Sequence, residues 1–230
     1  MMRNPNDSEA NEPLRKLDPT FCEMAVRMGG TSWGIKALSQ REKALLCLLA
    51  DICDHNLGLA FEMHFSMARA NDVPLMAIKE VIFHAAPEAG YTNALPALVR
   101  FKELCKSHHL EEDIEEPAAQ KSAVGSIPAE DLKRLDPRFE EAWRTGVTQQ
   151  WVRPNLTLQE RAILSIAAAV SNQTLGSPFK HFVAVALRQG VSTDRIGAAI
   201  SFMSEFGFGK AWQGLEALRS ILPNERHQAA

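Results

Sequence analysis

The chain contains a single tyrosine, no polybasic run and no long apolar segment. Its longest apolar runs, Ala44 to Ala50 and Ala162 to Val170, fall well short of the roughly 18 residues that a membrane-spanning helix needs. The stretch Met1 to Pro13 is polar and has no apolar region of the kind found in secretory signals, so a cytoplasmic protein is expected. A formal net charge of −3 without a basic stripe argues against nucleic-acid binding. Neither nucleic acid nor a membrane is therefore expected as a partner. The four cysteines (Cys22, Cys47, Cys53, Cys105) show no short repeated spacing and read as reduced, buried thiols. No segment alternates apolar and polar residues over strand length, which leaves little room for sheet.

What is present is an ordinary soluble composition, 46% hydrophobic and 23% charged over 230 residues, with eleven phenylalanines and eight methionines to fill an adaptable core. The chain also repeats itself. Leu17-Asp18-Pro19-Thr20-Phe21 returns as Leu135-Asp136-Pro137-Arg138-Phe139. At the same spacing Leu38-Ser39 returns as Leu156-Thr157, Glu42 as Glu160, and Leu57-Gly58 as Leu175-Gly176. One residue out of register, Glu88-Ala89-Gly90-Tyr91 matches Glu205-Phe206-Gly207-Phe208. So many matches in one order point to a tandem duplication.

Each half reads as helices. Asp18-Pro19 and Asp136-Pro137 supply an N-cap and a first-turn proline. Ser39-Gln40-Arg41-Glu42 and Thr157-Leu158-Gln159-Glu160 are capping boxes, and each opens a strongly apolar helix, to about Asp54 and Ser171. Gly190 fits a helix C-terminus, and Gly90 and Gly207 a break before the last helix of each half. The expected organisation is all-α: a first repeat over residues 14–107, a solvated linker over 108–128 carrying the acidic run Glu111 to Glu116, and a second repeat over 129–222. The tails, Met1 to Pro13 and Pro223 to Ala230, are expected to be flexible.

The first half runs Ser39-x-x-Glu42, Glu62-Met63-His64, Val73-Pro74, Glu80 to Tyr91, then Ala94 to Leu98. This order, with His64 nine residues before Val73, resembles the carboxymuconolactone decarboxylase family of the alkylhydroperoxidase D-like superfamily. The resemblance is stronger over Leu38 to Leu104 than over Leu156 to Leu222. It implies two alkylhydroperoxidase D-like helical modules, a small-molecule substrate, no cofactor or metal, and a homo-oligomer, here a dimer or trimer. The peroxidase branch of the superfamily carries Cys-x-x-Cys before the histidine. Leu57 and Ala60 stand there in the first half, and Thr174 and Ser177 in the second, so peroxidase chemistry is not expected. His181 lies ten residues before Val191, and a strict count puts Phe182 in the histidine slot. Glu88 occupies a slot that is tyrosine-like in many decarboxylases, which puts the family's own lactone in doubt.

Four residues are the candidate catalytic groups: His64, Glu88, His84 and Tyr91. His64, in an apolar helical setting, is either a hydrogen-bonded core histidine or a general acid/base. His84 and Glu88 are four apart on one helical face, as a surface pair or as an imidazole with its orienting carboxylate. Tyr91 is a buried amphipathic ring or a proton donor. A metal site on His64, His84 and Glu88 lacks the spacing of a dedicated ligand set. Glu62 reads as a surface charge, and Arg69 and Arg100 are candidate anchors for a substrate carboxylate. Glu42 and Glu160 are explained by capping. The expected activity is cofactor-free acid/base chemistry of a decarboxylase, isomerase, dehydratase or cyclase type on a small lactone or carbonyl compound. A non-catalytic oligomeric ligand-binding protein and a thiol-dependent redox protein using Cys47 or Cys53 remain as alternatives.

Overall fold

The computed structural model describes residues 11–111, 129–148 and 150–222. Most of the acidic linker, nearly all of both tails, and His227 lie outside the described residues. Within them there are twelve α-helices, two short 3-10 turns and no strand, so the all-α expectation holds.

In the first half α1 covers Glu12–Leu17, α2 Pro19–Trp33, α3 Gln40–Cys53, α4 Leu59–Ala70, α5 Leu75–Ala89 and α6 Tyr91–Ser107. In the second, α7 covers Ala129–Leu135, α8 Pro137–Gly146, α9 Leu158–Ser171, α10 Ser177–Arg188, α11 Thr193–Phe202 and α12 Phe208–Ile221. The 3-10 turns are Gln150–Val152 and Met203–Phe206. The same helices thus follow one another in the same order in both halves. One difference bears on the site. Where α5 continues as helix to Ala89, α11 stops at Phe202 and tightens into the 3-10 turn that carries Glu205. Gly90 and Gly207 follow, both at positive φ (101° and 151°), a region that only glycine enters without strain.

The helix starts are those expected from side-chain chemistry. Asp18 accepts from the Phe21 amide at 2.7 Å and Asp136 from the Arg138 amide at 2.7 Å. Both capping boxes are complete, with Glu42 Oε2 accepting from Ser39 N at 2.9 Å and Glu160 Oε2 accepting from Thr157 N at 2.8 Å. The capping carboxylates do more than cap. Arg195 donates to the second oxygen of Glu42 at 2.6 Å, and Arg41 to the second oxygen of Glu160 at 2.6 Å. Each capping box is thereby tied to the opposite half of the chain.

α3 and α9 pack against each other at the centre. Both are buried all round, from Glu42 to Cys53 and from Glu160 to Ser171. A helix without a polar face belongs in a core rather than at a surface. Here one continuous cluster of buried apolar side chains runs through both halves. Trp33 and Trp151, at equivalent places before α3 and α9, seal the seam between the halves. Trp33 meets Phe202 edge-on at 6.2 Å, and Trp151 meets His84 edge-on at 5.7 Å. Beside them Lys43 and Arg161 also occupy equivalent buried positions. The Lys43 ammonium donates to the Trp33 carbonyl at 2.6 Å, and the Arg161 guanidinium to the Arg153 carbonyl at 2.8 Å. Among the described residues no helix is long and apolar enough to cross a membrane.

Candidate active site

His64 lies mid-way along α4, and its Nδ1 is 2.6 Å from Asp51 Oδ2 on the last turn of α3. Asp51 sits in the apolar run Leu48-Leu49-Ala50-Asp51-Ile52-Cys53, where its side chain is 1% exposed. Burial pushes the Asp51 carboxyl above its ordinary range, and the hydrogen bond and charge of His64 oppose that. The His64 side chain is 14% exposed and lies edge-on to Phe206 at 5.9 Å. With a carboxylate at Nδ1, a neutral imidazole carries its proton there and presents the lone pair of Nε2 outward. Buried acid, oriented imidazole and a free second nitrogen are the parts of a general base.

The second half contributes Glu205 to the same place. Its Oε1 rests against Gly29 of α2, about where a Cβ on that glycine would touch it, at 3.7 Å. Burial raises the Glu205 carboxyl above its ordinary range, His64 and the Ser32 hydroxyl lower it, and Asp51 raises it again. Three buried polar atoms in this cluster lack a full hydrogen-bond partner: Asp51 Oδ1, Glu205 Oε2 and Ser32 Oγ. Cys47, one turn before Asp51, is fully buried, and burial together with the Glu205 and Asp51 charges pushes its thiol well up.

His84 and Glu88 go to a different set of partners. They meet at Ser165 of α9, whose hydroxyl donates to Glu88 Oε1 at 2.7 Å and lies 3.0 Å from His84 Nε2. That nitrogen also faces the Arg161 carbonyl at 3.1 Å. A carbonyl only accepts, so Nε2 carries the proton, and Nδ1 accepts from the Arg161 guanidinium at 3.4 Å. The ring is neutral: burial, then the Arg161 charge, lower its pKa to about 3. Such an imidazole is a poor base at neutral pH. Burial raises Glu88 to about 7, against the pull of its Ser165 bond. Beyond His84 the chain of contacts continues through Arg161 to Glu80 (2.9 Å) and on to Arg153 (3.1 Å), all within or at the edge of the core.

The remaining candidates fall outside both clusters. Tyr91 opens α6 and is 60% exposed, with its hydroxyl beside Gly146, so it is not the buried ring that the sequence allowed. Glu62 is a surface charge, paired with Arg100 at 2.6 Å. Arg100 is thereby paired with a carboxylate, and Arg69 donates to the Val73 carbonyl. Among the described residues no group of three His, Cys, Asp or Glu side chains could hold a metal. None of the four cysteines is in a disulfide and all are buried, and burial pushes Cys53 up to about 12, so Cys47 and Cys53 are both held as thiols rather than thiolates.

The second half of the chain carries a family match. Residues 137–220 are similar to the Carboxymuconolactone decarboxylase family. In this half Ala169 and Phe182 occupy the places that Asp51 and His64 hold in the first half, and Phe182 is buried and stacked on Trp151 at 6.1 Å. The family match and the imidazole–carboxylate pair therefore lie in different halves, and the half matched is the one whose motifs are weaker by eye. A solved structure from Burkholderia xenovorans LB400, described as a candidate gamma-carboxymuconolactone decarboxylase subunit, shares the fold over 94% of this chain and 92% of its own, with a TM-score of 0.55 at 20% identity. No curated protein matches the chain. The all-α, alkylhydroperoxidase D-like architecture expected from the sequence is the one present.

Asp51, Glu205, Ser32 and Ser165 were not singled out by sequence reasoning. Asp51 and Arg161 left a signal, each being a lone charge inside a strongly apolar helix, where burial without a partner is costly.

Proposed function

We propose that this chain is a cofactor-free acid/base enzyme that moves a proton on a small lactone or carbonyl compound, with His64 as the proton-transfer group and Asp51 as the residue that orients it. The observation that carries this reading is the 2.6 Å contact from His64 Nδ1 to a fully buried Asp51. It fixes the ring and leaves Nε2 for the substrate. The similarity of residues 137–220 to the carboxymuconolactone decarboxylase family supports a small organic substrate. The neighbour described as a gamma-carboxymuconolactone decarboxylase subunit adds decarboxylation to the outcomes worth assaying.

We read the two halves as duplicated modules with one working dyad per chain, because Ala169 and Phe182 cannot exchange a proton. Glu88, near neutrality but bonded to Ser165, ties the halves together in this reading. A homo-oligomer, dimer or trimer, is supported by exposed apolar side chains on α6 (Leu95, Val99) and α12 (Phe208, Trp212, Leu215). The held-down thiolate character of Cys47 and Cys53 speaks for thiol-independent chemistry.

The test is turnover of a panel of unsaturated lactones and β-keto compounds by the wild type and by His64→Ala. Loss of turnover in a folded His64→Ala supports the reading. Equal turnover by the two proteins removes His64 from the chemistry, and none by the wild type across the panel leaves the non-catalytic ligand-binding reading in its place.

A further inference from the structure

The cluster around His64 contains more than the dyad requires. Glu205 arrives from the opposite half, 141 positions from His64 in sequence, on a 3-10 turn that has no counterpart in the first half. One of its oxygens is shielded from solvent and unpartnered, as is Asp51 Oδ1, and the hydroxyl of Ser32, a residue only 1% exposed, acts on the Glu205 carboxyl. Buried polar atoms without partners cost free energy, and a cluster of them beside a base is what a reacting polar group would satisfy. The charged groups that bear on Glu205 are His64 and Asp51, and Arg69 and Arg100 are engaged elsewhere. Burial, with the Asp51 charge adding to it, pushes the Glu205 carboxyl above its ordinary range and so favours its protonated form.

We propose that Glu205 is the second catalytic residue of the site, donating its proton to a substrate carbonyl oxygen while His64 Nε2 removes the proton from the adjacent carbon, and that the substrate is an uncharged, enolisable carbonyl compound such as a neutral lactone or ketone. This rests on the acid/base reading of His64. The step balances without any co-reactant. The C–H bond breaks to Nε2, and its electron pair becomes the new C=C bond. The carbonyl π pair moves onto oxygen and takes the Glu205 proton. Return of the proton from His64 to a carbon of the enol, with the enol proton passing back to Glu205, restores the enzyme and leaves an exchanged or isomerised product. Among the described residues the charges that act on the two carboxyl groups are His64 and other carboxylates, a setting that selects against a substrate bringing a carboxylate to it.

The test is ¹H NMR in D₂O of hydrogen exchange next to the carbonyl. The probes are a β,γ-unsaturated γ-butyrolactone and its carboxylate-bearing analogue, run with the full chain. The wild type is expected to exchange the neutral lactone at least about tenfold faster than the analogue. His64→Ala abolishes exchange. Glu205→Ala lowers it about 10²–10⁴-fold, as loss of a general acid does. Glu205→Gln, a neutral donor of the same shape, recovers part of that loss. In parallel, ¹³C NMR of carboxyl-labelled glutamate should show, besides the signal of Glu88, a protonated carboxyl at neutral pH that vanishes in Glu205→Gln, a readout that survives if Glu205→Ala does not fold.

Unchanged exchange in Glu205→Ala with His64→Ala inactive overturns the role of Glu205 and leaves the role of His64 standing. Full activity of Glu205→Gln, which has no proton to give, or an ionised Glu205 signal, overturns the neutral-acid assignment. Faster exchange of the carboxylate analogue overturns the substrate class. Full exchange by His64→Ala, or none by the wild type, overturns both levels.

Discussion

Asp51 Oδ2 and His64 Nδ1 stand 2.6 Å apart, a buried carboxylate on α3 gripping a partly exposed imidazole on α4. Asparagine in place of Asp51 fills the same space but cannot hold the Nδ1–H form of the ring by charge. Asp51→Asn is therefore expected to lower kcat about 10²–10⁴-fold with a smaller change in KM. Steady-state kinetics check this, with circular dichroism confirming the fold.

The Arg161–Glu80 pair is the most deeply buried ion pair described, with side chains 0% and 1% exposed at 2.9 Å. Removing one partner strands the other charge in the core. Glu80→Gln or Arg161→Met should each destabilise the protein by about 3–5 kcal/mol, while the double replacement costs clearly less than the two added together. Urea unfolding of the four proteins measures the difference.

The network around Ser165 makes stability depend on pH in two directions. His84 has its folded pKa depressed to about 3, so its contribution is complete above the unfolded value of 6.5 and is lost as the pH falls from there toward 3. Glu88 has its folded pKa raised to about 7, so its contribution is complete below the unfolded value of 4.5 and is lost as the pH rises through 7. Relative to wild type, Glu88→Gln should gain stability between those two values, by up to about 3 kcal/mol at 1.36 kcal/mol per unit. Denaturation midpoints at constant ionic strength, from pH 4 upward, show whether it does.

Gly214 on α12 lies where a methyl group would come within 2.8 Å of Val170 Cγ2 and 2.9 Å of Ile200 Cγ2. Glycine lets α12 approach α9 and α11 this closely. Gly214→Ala should therefore cost about 1–3 kcal/mol through overpacking, despite the better helix propensity of alanine. A lowered Tm in calorimetry is the expected result, and an unchanged one would mean that α12 can shift outward freely.

Local chemistry made much of the fold readable. Ser39 with Glu42, Thr157 with Glu160, Asp18 and Asp136 announce helix starts because capping is settled within a few residues, and Gly90, Gly190 and Gly207 all take positive φ where turns were expected. The candidate site was readable only in part. His64 stood out by its setting, and His84 with Glu88 by helical spacing. Their partners could not be found that way. Asp51 is thirteen residues away on another helix, and Glu205 and Ser165 come from the opposite half, so only the packing of the halves brings them in. Spacing four apart put His84 and Glu88 on one helical face, but it could not reveal that both reach Ser165 or that burial and Arg161 hold the imidazole neutral.

The most direct probe of the dyad is ¹⁵N NMR of the His64 imidazole, assigned by its loss in His64→Ala. The neutral ring should carry its proton on Nδ1 toward Asp51 and show an unprotonated Nε2, and Asp51→Asn should weaken that preference. A proton found on Nε2 in the wild type, with Nδ1 bare, would contradict a base that works from Nε2.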